Sequence, residues 1–203
     1  MSFAFADRLG EKVSKRYNNP YEAYKNHFFN NNHKHKNKKE LCLVSDNLVI
    51  YILDTKMIAV KWSVSCAKHV LHIFEELYPD YKGPRKAIEA ASNWIKDPSE
   101  QNTKTCYDAS KVCSRGASAY AFYAASHAVS SAERDFFDAA YYSTFYSSNE
   151  SLEIKWQIKK LNQIVYEEIL LAFVMTQYIR VDKKLVRKIP KELLKYIASF
   201  ITG

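Results

Sequence analysis

Cys66, His69 and His72 follow one another at intervals of three, and on an α-helix that spacing confines them to an arc of about 120°. One thiol and two imidazoles on a common face are the ingredients of a zinc site or of a Cys/His nucleophile. Zinc wants a fourth ligand, and a reactive thiolate wants surroundings that stabilise its charge. Cys66 instead lies between Trp62 and Val70 on an apolar stripe, so packing in a core is the favoured reading. Cys106 and Cys113, seven apart, share a helix face and read as core residues too, with a metal or disulfide partner as the alternative. Cys42 completes a set of four cysteines without CxxC spacing, for which reduced, buried thiols are expected. No metal or cofactor site is expected.

A second set is charged. Arg85 and Glu89 are four apart on one predicted helix, and Glu75 precedes the turn that folds that helix back. A planar guanidinium bridging the two carboxylates would act as a clasp fixing the angle between helices. A partner-binding surface and a pair of acid/base carboxylates are the alternatives. Basic residues form a third set: Lys34, Lys36, Lys38 and Lys39 follow Phe28 and Phe29, and Arg180, Lys183, Lys184, Arg187 and Lys188 lie toward the other end. Such clusters suit nucleic-acid phosphates or an acidic protein surface, or serve as a solvated face; the second also complements the C-terminal end of a helix dipole. Walker, GxGxxG, HExxH, GxSxG and zinc-finger patterns are absent from the sequence.

The elements that must position these residues follow from composition and periodicity. A chain of 203 residues fits one globular unit, 47% apolar residues can fill a core, and 4 Gly with 5 Pro are too few for a many-stranded barrel. The expected class is all-α, a single bundle of about seven or eight helices. Net charge is +8 and is uneven: residues 18–40 carry +3, residues 180–195 carry +5, and residues 41–179 carry −2. The expected organisation is an N-terminal helical extension with a basic Asn/Lys-rich loop (1–40), the bundle (41–180) and a basic C-terminal segment (181–203). The N-terminus has no apolar run of secretory length, and Glu167, Glu168 and Gln177 break the most apolar window, Ile164 to Ile179. A cytoplasmic protein without a membrane span is expected.

Apolar spacing predicts an amphipathic helix over 3–17, a short one over 20–28 and a solvated loop over 30–39. Further helices are predicted over 41–53, with Ser45 or Asp46 as a cap, and over 56–78 after a break at Asp54-Thr55. Pro84 opens a helix over 84–95. The alanine-rich stretch 100–147 predicts one long helix or two stacked ones at the centre of the bundle, where small side chains let axes approach closely. The longest helix is predicted over 151–180, and a short one over 190–201.

The run Lys61-Trp62-Ser63-Val64-Ser65-Cys66-Ala67-Lys68-His69-Val70-Leu71-His72-Ile73-Phe74-Glu75, then Tyr78-Pro79-Asp80, then Gly83-Pro84-Arg85-Lys86-Ala87-Ile88-Glu89-Ala90-Ala91 and Trp94, resembles the immunity-five-like family of bacterial polymorphic-toxin gene sets. Ala117 to Ala140 is similar to that family's next segment, so the resemblance covers about residues 41–147. Gly83 stands where the family often has Arg, and Ser63 where it often has Ala. The resemblance implies an all-helical, non-catalytic protein that neutralises a toxin by binding it, with Trp62, Cys66, Phe74, Pro84 and Trp94 as motif core.

The leading expectation is therefore a module that binds and occludes a toxin or other effector protein. The alternative is a basic nucleic-acid-binding or virion-associated structural protein that uses its flanks, with an enzyme as a third reading. No motif sets the oligomeric state.

Overall fold

The computed structural model describes residues 2–30, 40–113, 120–127, 129, 132–147 and 149–180. Helix accounts for 67% of the chain, joined by one small sheet, so the all-α class holds in the main. The chain forms two compact units, Met1–Leu53 with Asn162–Gly203, and Asp54–Leu161.

In the first unit, two expected helices are strands. β1 (Ser2–Ala6), β2 (Glu40–Ser45) and β3 (Leu48–Ile52) form an antiparallel sheet in the order β1-β2-β3. β1 pairs with β2 from Ser2↔Val44 to Ala6↔Glu40. The four-residue spacing read over 3–17 conceals the alternation Phe3-Ala4-Phe5-Ala6, whose period is that of a strand. Leu9, assigned to the buried stripe of that helix, is 62% exposed, and Gly10 takes a left-handed turn conformation at φ +82°. The expected helix over 41–53 is the β2–β3 hairpin. Asp46 and Asn47, at φ +50° and +63°, form its two-residue turn, the conformation that matches the twist of paired strands. Neither Ser45 nor Asp46 is a helix cap: Ser45 closes β2 and Asp46 opens the turn.

α1 (Pro20–Asn30) follows β1 as expected and begins with Glu22 N–H donating to Asn19 Oδ1 at 2.9 Å. Phe5 stacks on its His27, with ring centroids 3.9 Å apart. The expected loop over 31–39 and the helix over 190–201 lie outside the described residues.

The second unit is helical. Asp54 caps α2 (Thr55–Leu77) by accepting from Met57 N–H at 2.9 Å. After the Tyr78–Lys82 turn comes α3 (Gly83–Lys96), with Pro84 in its first turn. The alanine-rich stretch, expected as one or two helices, holds three: α4 (Glu100–Cys113), α5 (Tyr120–His127) and α6 (Ala132–Thr144). Gly116 falls between the first two, and Ser130-Ser131 between the second two, residues that interrupt helices more readily than alanine does. α7 (Glu150–Arg180) is the longest, as expected, and Asn149 caps it by accepting from Leu152 N–H at 3.1 Å. Its residues to Leu161 belong to this unit.

One core joins α2 to α6: Val60, Val64, Ala67, Val70 and Phe74 meet Ala87, Ala91 and Trp94, then Cys106, Cys113, Phe122, Ala124, Ala125 and Ala139. Among the described residues, no helix is long and apolar enough to cross a membrane.

Candidate functional site

The Cys66–His69–His72 set comes apart in the second unit. Positions three apart on α2 diverge once the helix buries one edge of the arc: Cys66 is fully buried, His69 sits at the rim and His72 is exposed. His69 finds another partner, Glu153 of α7, with Nδ1 2.7 Å from Oε2. Its ring stacks on Trp156, centroids 3.7 Å apart and nearly parallel. Glu153 Oε1 accepts from Gln157 Nε2 at 2.8 Å, and the same amide donates to Ala140 O at 3.0 Å. Trp62 Nε1 donates to Gln157 O at 2.9 Å. α2, α6 and α7 are thus tied by one buried polar network, and the Glu153 side chain is 2% exposed while both its oxygens are satisfied.

Cysteine, histidine and carboxylate beside one another resemble a nucleophile with its base and orienting group. The electrostatics run the other way. Burial, and then the negative charge of Glu153, push the Cys66 thiol well above its ordinary range, so it stays protonated; a reactive cysteine needs the opposite environment. Burial likewise raises Cys42 and Cys106 to about 11 and Cys113 to about 12, and none of the four is in a disulfide. Among the described residues, no group of three His, Cys, Asp or Glu side chains could hold a metal ion.

The charged set is brought together in part. Arg85 Nε donates to Glu75 Oε1 at 2.8 Å, and Nη2 to Oε2 at 2.5 Å, a two-pronged contact between α3 and the last turns of α2. Glu89 is close enough for its charge to act on Arg85, but among the described residues the guanidinium's hydrogen-bonded partner is Glu75 and the three-residue bridge is not formed. The hydrogen bonds from Arg85, and then its charge, hold the Glu75 carboxyl below the usual glutamate range. A carboxylate whose folded pKa is lowered adds stability above its unfolded value, about 4.3, and loses it as pH falls through the folded value. The pair is exposed, so its contribution is screened by salt. Arg85→Ala should therefore lower the melting temperature only slightly at neutral pH and low salt. That difference should vanish both in high salt and on acidification through the carboxylate range, as followed by circular dichroism melts.

The other motif residues are buried. Trp62 is 1%, Phe74 1% and Trp94 5% exposed, and Pro84 is enclosed at the start of α3. Trp94 Nε1 donates to Thr103 Oγ1 at 3.0 Å, tying α3 to α4, and Lys56 lies 4.9 Å above its ring. Gly83 has a local reason: a Cβ there would come 2.8 Å from the Tyr81 ring, whose hydroxyl donates to Val112 O at 2.8 Å. A side chain at position 83 would push that ring off α4. For the basic set, Lys34, Lys36, Lys38, Lys39, Lys183, Lys184, Arg187 and Lys188 lie outside the described residues, and Arg180 ends α7.

Sequence reasoning missed Glu153 and Gln157. Both precede basic or apolar neighbours on a helix that reads as amphipathic, and their partners lie 84 and 95 residues away. The faint signal was a Glu and a Gln four apart on the face that also carries Trp156.

The family model described as "Imm-5 like putative immunity protein" matches residues 51–164. No curated protein and no solved structure matches the chain. The matched segment contains α2 to α6 and the opening of α7, including all five buried motif residues and the Glu153 network, and it spans more than half of the sequence. The chain belongs to the Imm-5-like immunity protein family.

Proposed function

We propose that the protein neutralises a toxin by stoichiometric binding that occludes the toxin's working surface, without making or breaking a bond. Family membership carries this reading: it points to an immunity-type role and, in general terms, to a protein partner. The geometry supports it, because the residues that could have done chemistry are used otherwise. Cys66 is sealed in the core as a thiol, His69 is spent on Glu153, and Arg85 is engaged by Glu75. Action in the cytoplasm agrees with four unbridged cysteines, which persist as thiols in a reducing compartment.

The test is co-expression with the polypeptide encoded by the adjacent gene, read as survival of the host and as the mass of the purified complex. Restored growth with a one-to-one complex is the expected result. Restored growth at strongly substoichiometric amounts, with the toxin chemically altered, would show turnover and overturn occlusion. Growth arrest despite good expression would overturn the immunity reading.

A further inference from the structure

The end of α6 bears three aromatic rings that the core does not use. Tyr141, Tyr142 and Phe145 pack on one another, with centroids 5.2 Å apart for Tyr141–Tyr142 and for Tyr141–Phe145, and 6.0 Å for Tyr142–Phe145. Tyr141 is 59% and Phe145 67% exposed, while Ala139, Ala140 and Ser143 of the same helix are buried. Leu152, in the first turn of α7, is 60% exposed. Aromatic surface of this size left in water is costly, and edge-on packing among the rings fixes their geometry beforehand. Rigid, grouped aromatic side chains that lose little freedom on contact are the usual energetic centres of protein interfaces.

The charge around the rings names the partner's chemistry. From residue 135 to residue 154 the sequence has four carboxylates and no Lys or Arg, in a chain of net charge +8. Glu153 faces inward to His69 and Gln157. Asp138, one turn before the rings, is half-buried, and Glu150, at the first turn of α7, is exposed. We infer that the α6–α7 corner is the surface by which this protein docks on a basic protein face, rich in Lys and Arg, of the kind that binds a polyanionic substrate. The rings receive aliphatic stems and cationic heads, and the acidic rim steers the encounter. The inference rests on the immunity reading for the existence of a protein partner.

The test uses the full chain and the catalytically inactivated product of the adjacent gene, in a surface-binding assay across a salt series. Wild-type association should slow as salt rises. Tyr141→Ala/Phe145→Ala should weaken binding by about 100-fold, chiefly through faster dissociation, with an unchanged melt. Glu150→Lys, a fully exposed change that does not threaten the fold, should slow association and flatten its salt dependence. Wild-type binding that both variants retain would overturn this surface and leave the immunity role standing. Failure of the wild type to bind or protect would overturn the role and this inference together.

Discussion

Phe74→Ala should destabilise the protein by about 3–5 kcal/mol, the range for removing a fully buried aromatic ring. Phe74 is 1% exposed and lies among four rings, with centroids 5.0 Å away for Tyr78, 5.1 Å for Phe122, 6.0 Å for Tyr146 and 6.2 Å for Tyr81. These come from α2, the turn after it, α5 and the residues following α6, so one truncation removes packing from every side at once. The Tyr146 hydroxyl is buried without a hydrogen-bond partner, and its pKa is pushed up to about 12 by burial first and then by Tyr78 and Cys113. Ring packing is what holds it there, and a cavity at position 74 would admit water to it. For a chain of this size the loss corresponds to a fall in melting temperature of about 6–20 °C. Calorimetry or urea unfolding reads it directly, and a change below about 1 kcal/mol would mean that the four rings close over the gap.

Trp62→Ala should cost about as much, roughly 3–5 kcal/mol, and for a different reason. The indole is 1% exposed and its Nε1 reaches Gln157 O, so the substitution removes both a large volume and the link from α2 to α7. Trp62→Phe separates the two effects: it keeps much of the volume and loses the hydrogen bond, worth about 0.5–1.5 kcal/mol. Unfolding midpoints that rank wild type, then Phe, then Ala check the assignment. Equal midpoints for Phe and Ala would show that the hydrogen bond, and not packing, dominates.

The helices legible in the sequence are those with local punctuation. Asp54 before α2, Pro84 in α3 and Asn149 before α7 are short-range signals that the structure honours residue by residue. The hairpin was hidden because Leu41-Cys42-Leu43-Val44 and Leu48-Val49-Ile50-Tyr51-Ile52 are almost uninterrupted apolar runs, compatible with either period. The decisive clue was the Asp46-Asn47 pair between them, a two-residue turn signal that was read as a helix cap. Within the site, the Arg85–Glu75 contact was legible because a turn of known geometry separates the two residues. Glu89 was not separable from Glu75, since helix spacing alone gives reach and not choice of partner. The Glu153 network depends on which face α7 turns to α2, a packing decision that no local pattern records.

The division of the chain also bears on its biogenesis. Residues 54–161 form a contiguous unit, whereas the other unit combines residues before them with residues after them. Emerging from the ribosome, the contiguous segment has all its own contacts at hand and can condense at once, while the hairpin strands wait for the start of the 162–180 stretch, where Tyr166 meets Phe3 and Asn162 meets Tyr21. The toxin-facing half of the molecule is in this way the first to mature during translation, an order that suits a protein whose product must be ready before its target is.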